Sequence, residues 1–286
     1  MGDKMNNRRL LQALLATNLL AFLERAFCDL DPRNQLLTPP YLELLAEELL
    51  DVATGASRRL IINLPPRHLK SILVSVVLPA WLLGRDPRLR IAVVSHGQGL
   101  ARDLALKSRR LVDFDWYRSV FPQMRLSADR ASAMDFETTQ GGGRYAASVN
   151  TGITGRGFDV IIVDDPLSAQ DARSAVERER VIETYETMIV SRLDDPLRGI
   201  ICVVHQRMHE RDLTGHLMTQ GGWRQICLPL VAEEEMTYQI GSRVWTRRMN
   251  EPLIPDLYPH DVIQKFEPSG VRRSSPRSIN RTRQPR

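Results

Sequence analysis

Three short stretches of this 286-residue chain end apolar runs in groups that can hold an anion, a cation or a proton. The first is Asn63-Leu64-Pro65-Pro66-Arg67-His68-Leu69-Lys70-Ser71, which lies between Leu60-Ile61-Ile62 and a helical run beginning at Ile72. Backbone N–H groups left free where a helix begins point at an anion, a lysine neutralises it, and a serine hydroxyl can ligand Mg2+. Lys70 and Ser71 stand where a phosphate-binding loop has its Lys-Ser/Thr pair, and Pro66, Arg67, His68 and Leu69 would complete the cradle. The usual G-x-x-x-x-G-K-[ST] pattern asks for glycine at Leu64 and Leu69, where this chain has a side chain. Taken alone, the segment fits a strand-to-helix turn ending in a surface lysine equally well.

The second stretch, Asp159-Val160-Ile161-Ile162-Val163-Asp164-Asp165-Pro166, is an apolar run that ends in two carboxylates. Burying adjacent acids is costly unless they serve a cation or a proton transfer. Asp164 is the candidate Mg2+ ligand, with Ser71, and Asp165 the candidate for orienting or activating a water. An aspartate before proline that merely caps the next turn is the simpler reading, and it accounts for only one of the two acids.

The third run, Gly199-Ile200-Ile201-Cys202-Val203-Val204, leads into His205-Gln206-Arg207. Gln206 is a candidate for sensing a terminal phosphate or its water. His205 and His209 have metal-pair spacing, but one ends a strand and the other precedes a helix, which favours structural roles. Arg156, in Thr151-Gly152-Ile153-Thr154-Gly155-Arg156-Gly157, could reach a neighbouring subunit's phosphates as an arginine finger, or could be a solvated arginine on a flexible turn.

These groups need a scaffold that brings strand ends together. Continuous apolar runs at 60–64, 90–95, 159–163 and 199–204 imply strands covered on both faces. Runs 72–83, 99–112 and 173–193 read as crossover helices, the last with Ile182, Tyr185 and Ile189 on its buried stripe. The alternation predicts an α/β fold with a mainly parallel β-sheet flanked by helices. Helices over 8–30 and 40–52 precede it, as an N-terminal helical segment. Residues 136–139 and 144–148 around Gln140-Gly141-Gly142-Gly143 predict a β-hairpin, as an insertion or an antiparallel edge. Beyond Pro229 the periodicity fades.

Composition narrows the class. The formal charge of +5 is concentrated in residues 271–286, which hold six arginines and no acid; the remainder carries 33 basic and 34 acidic residues. The body is therefore nearly neutral, and a nucleic-acid footprint cannot be read from it by charge. Cys28, Cys202 and Cys227 lack paired spacing and read as reduced, buried thiols. Arg8 and Arg9 precede an apolar stretch interrupted by Gln12, Thr17 and Asn18, which reads as an amphipathic helix in a cytoplasmic protein.

The motif from Leu60 to Ser71, Pro79-Ala80-Trp81-Leu82-Leu83-Gly84, Thr154-Gly155-Arg156-Gly157, Val163-Asp164-Asp165-Pro166 and Gln206-Arg207-Met208-His209-Glu210-Arg211-Asp212-Leu213 come in an order that resembles the large-terminase ATPase domain of phages and prophages, over residues 19–245. One branch of that family has a Pro-Pro-Arg-x-Leu-Lys-Ser loop in place of the glycine form. The resemblance implies a P-loop NTPase of the ASCE type, with ATP and Mg2+ as cofactors. It implies an ATPase motor that assembles as a homo-oligomeric ring on the portal protein in the host cytoplasm, works with a terminase small subunit and drives double-stranded DNA into the capsid. Lys70, Asp165, Arg67, Gln206 and Arg156 would be its catalytic residues. The turn Thr38-Pro39-Pro40-Tyr41 lies where such proteins hold the adenine, which places Tyr41 in the nucleotide site.

The expected division is a helical segment over 1–55, an ATPase domain over 56–232, a linker over 233–270 and a disordered Arg-rich tail over 271–286. Such proteins usually continue into a nuclease with clustered acids. Asp256 and Asp261 lie in a Pro-rich loop, so no cutting activity is expected of this chain. Two rival readings are a catalytically inactive prophage remnant that binds DNA or terminase partners, and an ATPase used as a helicase or in recombination.

Overall fold

The structure is a computed structural model that describes residues 2–151, 153 and 155–266; the tail expected over 271–286 lies outside them. In chain order the main elements are α1 (Gly2–Thr17), α2 (Leu19–Leu30), α3 (Pro40–Ala53), β1 (Arg59–Asn63), α4 (Leu78–Arg85), β2 (Arg90–Ser95), α5 (Gln98–Asp113) and α6 (Asp115–Val120). They continue with β3 (Leu126–Ala131), β4 (Asp135–Thr138), β5 (Gly143–Ser148), β6 (Val160–Asp164), α7 (Ala175–Thr184), β7 (Ile200–His205), α8 (Leu213–Gln220), β8 (Arg224–Cys227), β9 (Met236–Ile240), β10 (Arg243–Arg247) and α9 (His260–Phe266).

Eight strands form one sheet in the order β3-β4-β5-β2-β6-β7-β1-β8. From β5 to β8 every pairing is parallel, and β3 and β4 add an antiparallel edge. The four continuous apolar runs are all central strands, as burial on both faces requires. One face packs against the helices before and after β1, with Phe22, Leu45, Val74, Trp81, Val93 and Ile162 in its core. The other packs Ile61, Val94, Ile161 and Val203 against Val181, Tyr185, Ile189 and Leu217. Each wholly buried Leu, Ile or Val side chain contributes about 2 kcal/mol from its removal from water, so these two cores supply most of the drive to fold.

The hairpin expected around Gly141 is present, but it is not a separate insertion. Its second strand, β5, pairs antiparallel with β4 and parallel with β2, so the hairpin extends the main sheet. A Cβ at Gly142 would sit 2.3 Å from the Pro87 carbonyl oxygen, which requires glycine where the turn passes the loop before β2.

Three local expectations change. The helix expected over 8–30 is two helices bent by 105°. Asn18 breaks it: its φ/ψ of −114°/110° is extended, and its side chain accepts a hydrogen bond from Ala21 N–H as the N-cap of α2. The helix expected over 72–83 begins as π-helix, Ile72–Val77, before α4, and that over 173–193 passes through π-helix at Tyr185–Ile189 and a 3-10 turn at Val190–Arg192. Beyond Pro229, where periodicity fades, β9 and β10 still pair as a hairpin whose turn at Gly241 donates its N–H to Glu47 of α3. Among the described residues no single helix is long and apolar enough to cross a membrane.

Candidate functional site

Parallel pairing brings the carboxyl ends of the strands to one edge of the sheet. In register, Asn63 lies beside His205, Ser95 beside Asp164, and Ser95 beside Ser148 on its other side. The interiors of β1, β2, β6 and β7 are apolar and these strands end in Asn63, Ser95, Asp164 and His205, while β5 ends in Ser148, so polar groups collect along a line where the loops leave the sheet. Ligands of open α/β sheets gather at this edge.

The segment 64–71 leaves β1 at that edge. Arg67 and Leu69 have φ of 62° and 59°, whereas His68 and Lys70 between and after them do not enter the left-handed region. Left-handed residues in a turn can direct successive N–H groups towards one point and make an anion-binding concavity. The glycine missing at Leu69 is therefore missing where left-handed backbone is required. Three contacts hold the strained loop: Tyr41 Oη donates to the His68 carbonyl oxygen at 3.2 Å, the His68 ring Nδ1 bonds the Pro66 carbonyl oxygen at 2.7 Å, and the His68 ring stacks on Tyr258 with centroids 5.3 Å apart. His68 and Tyr41 are buried, Pro66 and Arg67 exposed, and Leu69 is half-buried against the core. Tyr41, expected near a ligand, supports the loop from beneath.

Lys70 begins the helix after the loop and is 8% exposed. Its Nζ lies 2.7 Å from Asp165 Oδ2. Ser71 Oγ donates to Asp164 Oδ1 at 3.0 Å. Asp164 is wholly buried, its Oδ2 has no hydrogen-bond partner among the described residues, and burial followed by the neighbouring Asp165 charge pushes its pKa up to about 7. An uncompensated buried carboxylate oxygen beside a serine hydroxyl suits a hard cation such as Mg2+, which takes oxygen ligands. Asp165 is itself left-handed, with φ of 43°. Its N–H donates to the Val204 carbonyl oxygen, its carbonyl accepts from His96 N–H, and its Oδ1 accepts from Gln206 N–H at 3.2 Å.

Lys70, Ser71, Asp164, Asp165 and Gln206 are thus one constellation, with β7 inserted between β1 and β6 to deliver Gln206. Arg156 stands apart from it. Its guanidinium forms two 2.8 Å bonds to Asp135 and lies over the Tyr145 ring. Gly157 beside it lies against the Asp194 carboxylate, which would have to move to admit a Cβ there. His205 and His209 do not form a metal pair: His205 Nε2 lies 2.5 Å from Thr214 Oγ1, and His209 Nδ1 accepts from Arg211 N–H. Cys202 is buried, as expected of the thiols, and Cys28 is exposed.

No protein-family model matches this sequence, and no curated protein does. A solved structure does match: the crystal structure of the HK97 bacteriophage large terminase, with a TM-score of 0.50 and 13% identity, over 76% of this chain and 44% of that one. The fold is like that of the matched part of this large terminase. This chain spans less than half the length of the terminase it matches. Within the terminase-like fold, several supporting residues carried no sequence signal. Asn63 donates to the His205 carbonyl oxygen and to Thr214 Oγ1, and accepts from Gln225, tying together β1, β7 and β8. Arg144 of β5 is 1% exposed and donates to the Ser75 carbonyl oxygen. An arginine inside an otherwise small and apolar strand was the available sign of it.

Proposed function

We propose that this chain is a Mg2+-dependent, ATP-hydrolysing motor domain of the phage large-terminase type that acts in packaging double-stranded DNA. The observation that carries the reading is the meeting of Lys70, at a helix N-terminus behind an alternating left-handed loop, with the Asp164–Asp165 pair at the end of β6. The terminase-like fold supports it independently.

The backbone N–H groups of residues 67–71 would cradle the phosphates, with Lys70 against the terminal ones and Arg67, exposed on the loop, beside them. Ser71 and Asp164 would hold Mg2+, which supplies charge neutralisation on the phosphate oxygens. Asp165 would orient the attacking water and accept its proton, once the triphosphate draws Lys70 out of their ion pair. Gln206 is bonded to Asp165 through its N–H, which leaves its side chain available for the terminal phosphate or that water. In this reading the partners are DNA, a portal protein, a small subunit and further copies of the chain, in the host cytoplasm.

Titration of the chain with ATP and Mg2+ by calorimetry tests the site. Binding that is lost in Lys70→Ala supports it; equal heats for the two proteins overturn it.

A further inference from the structure

Left-handed backbone at a residue other than glycine persists only where the surroundings enforce it. Arg67 and Leu69 both adopt it, and the single residue between them is gripped at three points. The His68 carbonyl oxygen accepts from Tyr41 Oη, its Nδ1 bonds the Pro66 carbonyl oxygen, and its ring stacks on Tyr258 with planes 25° apart. Tyr41 belongs to α3 and lies at the front of the sequence, whereas Tyr258 closes a turn 190 residues beyond the loop. That turn is fixed to the core: Ile254 and Leu253 are buried, Tyr258 N–H donates to the Ile254 carbonyl oxygen, and Leu253 N–H donates to that of Leu230. Arg247, wholly buried at the end of β10, donates to the carbonyl oxygens of Leu230 and Glu251 and so ties the start of the following segment to the core.

We infer that His68 and Tyr258 form a clamp that holds the loop 65–70 in its left-handed form before any ligand arrives, taking over the task that glycine performs in glycine-rich loops. His68 is then a positioning residue whose side chain points away from the ligand. The segment after β10, expected from the sequence to be a linker, becomes a working part of the site. The use of the clamp for nucleotide binding rests on the reading proposed above; its existence as a restraint on the loop does not.

Two measurements on the full chain separate these. Amide hydrogen exchange without ligand should rise at residues 67–70 in Tyr258→Ala, with β6 and β7 as protected as in wild type. It should stay at the wild-type level in Tyr258→Phe, which keeps the stacked ring. Calorimetry with ATP and Mg2+ should show about tenfold weaker binding for Tyr258→Ala, equivalent to ~1.4 kcal/mol at 25 °C. His68→Ala should behave likewise. Adding Leu69→Gly to Tyr258→Ala should restore much of the affinity, because glycine enters the left-handed region without strain. Unchanged exchange at 67–70 in both Tyr258→Ala and His68→Ala overturns the clamp. Raised exchange in the two variants, beside a wild type that binds no ATP, keeps the clamp and overturns the nucleotide reading instead.

Discussion

Lys70 Nζ and Asp165 Oδ2 form an ion pair 2.7 Å long, with side chains 10% and 19% exposed, between the helix that follows β1 and the end of β6. A pair this far from water is sensitive to the loss of one member, because the other is left as an uncompensated charge. Lys70→Met should therefore destabilise the chain by about 3 kcal/mol in urea unfolding. Lys70→Met combined with Asp165→Asn should recover most of that loss. Additive losses in the double variant would mean that the two groups do not interact.

Asp164 gives a pH dependence of defined sign. Its folded pKa, pushed up to about 7 by burial and then by the Asp165 charge, exceeds the unfolded value of 3.8. The folded chain thus holds a proton that unfolding releases, and stability falls as pH rises from about 4 to about 7. Without metal at pH 8, Asp164→Asn should be more stable than wild type by on the order of a few kcal/mol, and should therefore melt at a higher temperature. Adding Mg2+ should raise the wild-type melting temperature and leave the variant's unchanged. Thermal unfolding at pH 5 and pH 8, with and without Mg2+, checks both signs.

Gln206 touches Asp165 through its backbone, and that contact survives substitution. Gln206→Ala should leave stability and KM for ATP close to wild type and lower kcat about a hundredfold, the typical cost of one polar group aimed at a developing charge. A change in KM with kcat preserved would place the side chain on the ground-state nucleotide instead.

Arg156 spends both arms of its guanidinium on Asp135. With the pair a quarter to a third exposed, Arg156→Ala should cost about 1 kcal/mol of stability and leave affinity for ATP unchanged. Stability curves and ATP titration of the variant check this. A large loss of affinity would show that the arginine reaches the nucleotide.

The sequence made the central strands legible because their burial on both faces leaves a continuous apolar run, as in Leu60-Ile61-Ile62 and Val160-Ile161-Ile162-Val163. It also made legible the polar residues that follow those runs, Asp164, Asp165 and Gln206 directly and Lys70 and Ser71 across the loop after Asn63. The edge strands were harder. β3 is largely exposed and β8 has four residues, so neither leaves a pattern distinct from a loop. The His68–Tyr258 stack and the Arg144–Ser75 bond join residues far apart in the chain, and no local pattern encodes them. Tyr41 illustrates the limit in another way: only the family resemblance placed it at the nucleotide site, and its contact with the His68 carbonyl oxygen depends on how α3 packs.

The most direct measurement is phosphate release from ATP by the wild-type chain with Mg2+ and linear double-stranded DNA, beside Lys70→Ala and Asp165→Asn. Turnover in wild type should need Mg2+, rise with DNA and fall to background in both variants. The same background rate in all three proteins would contradict it.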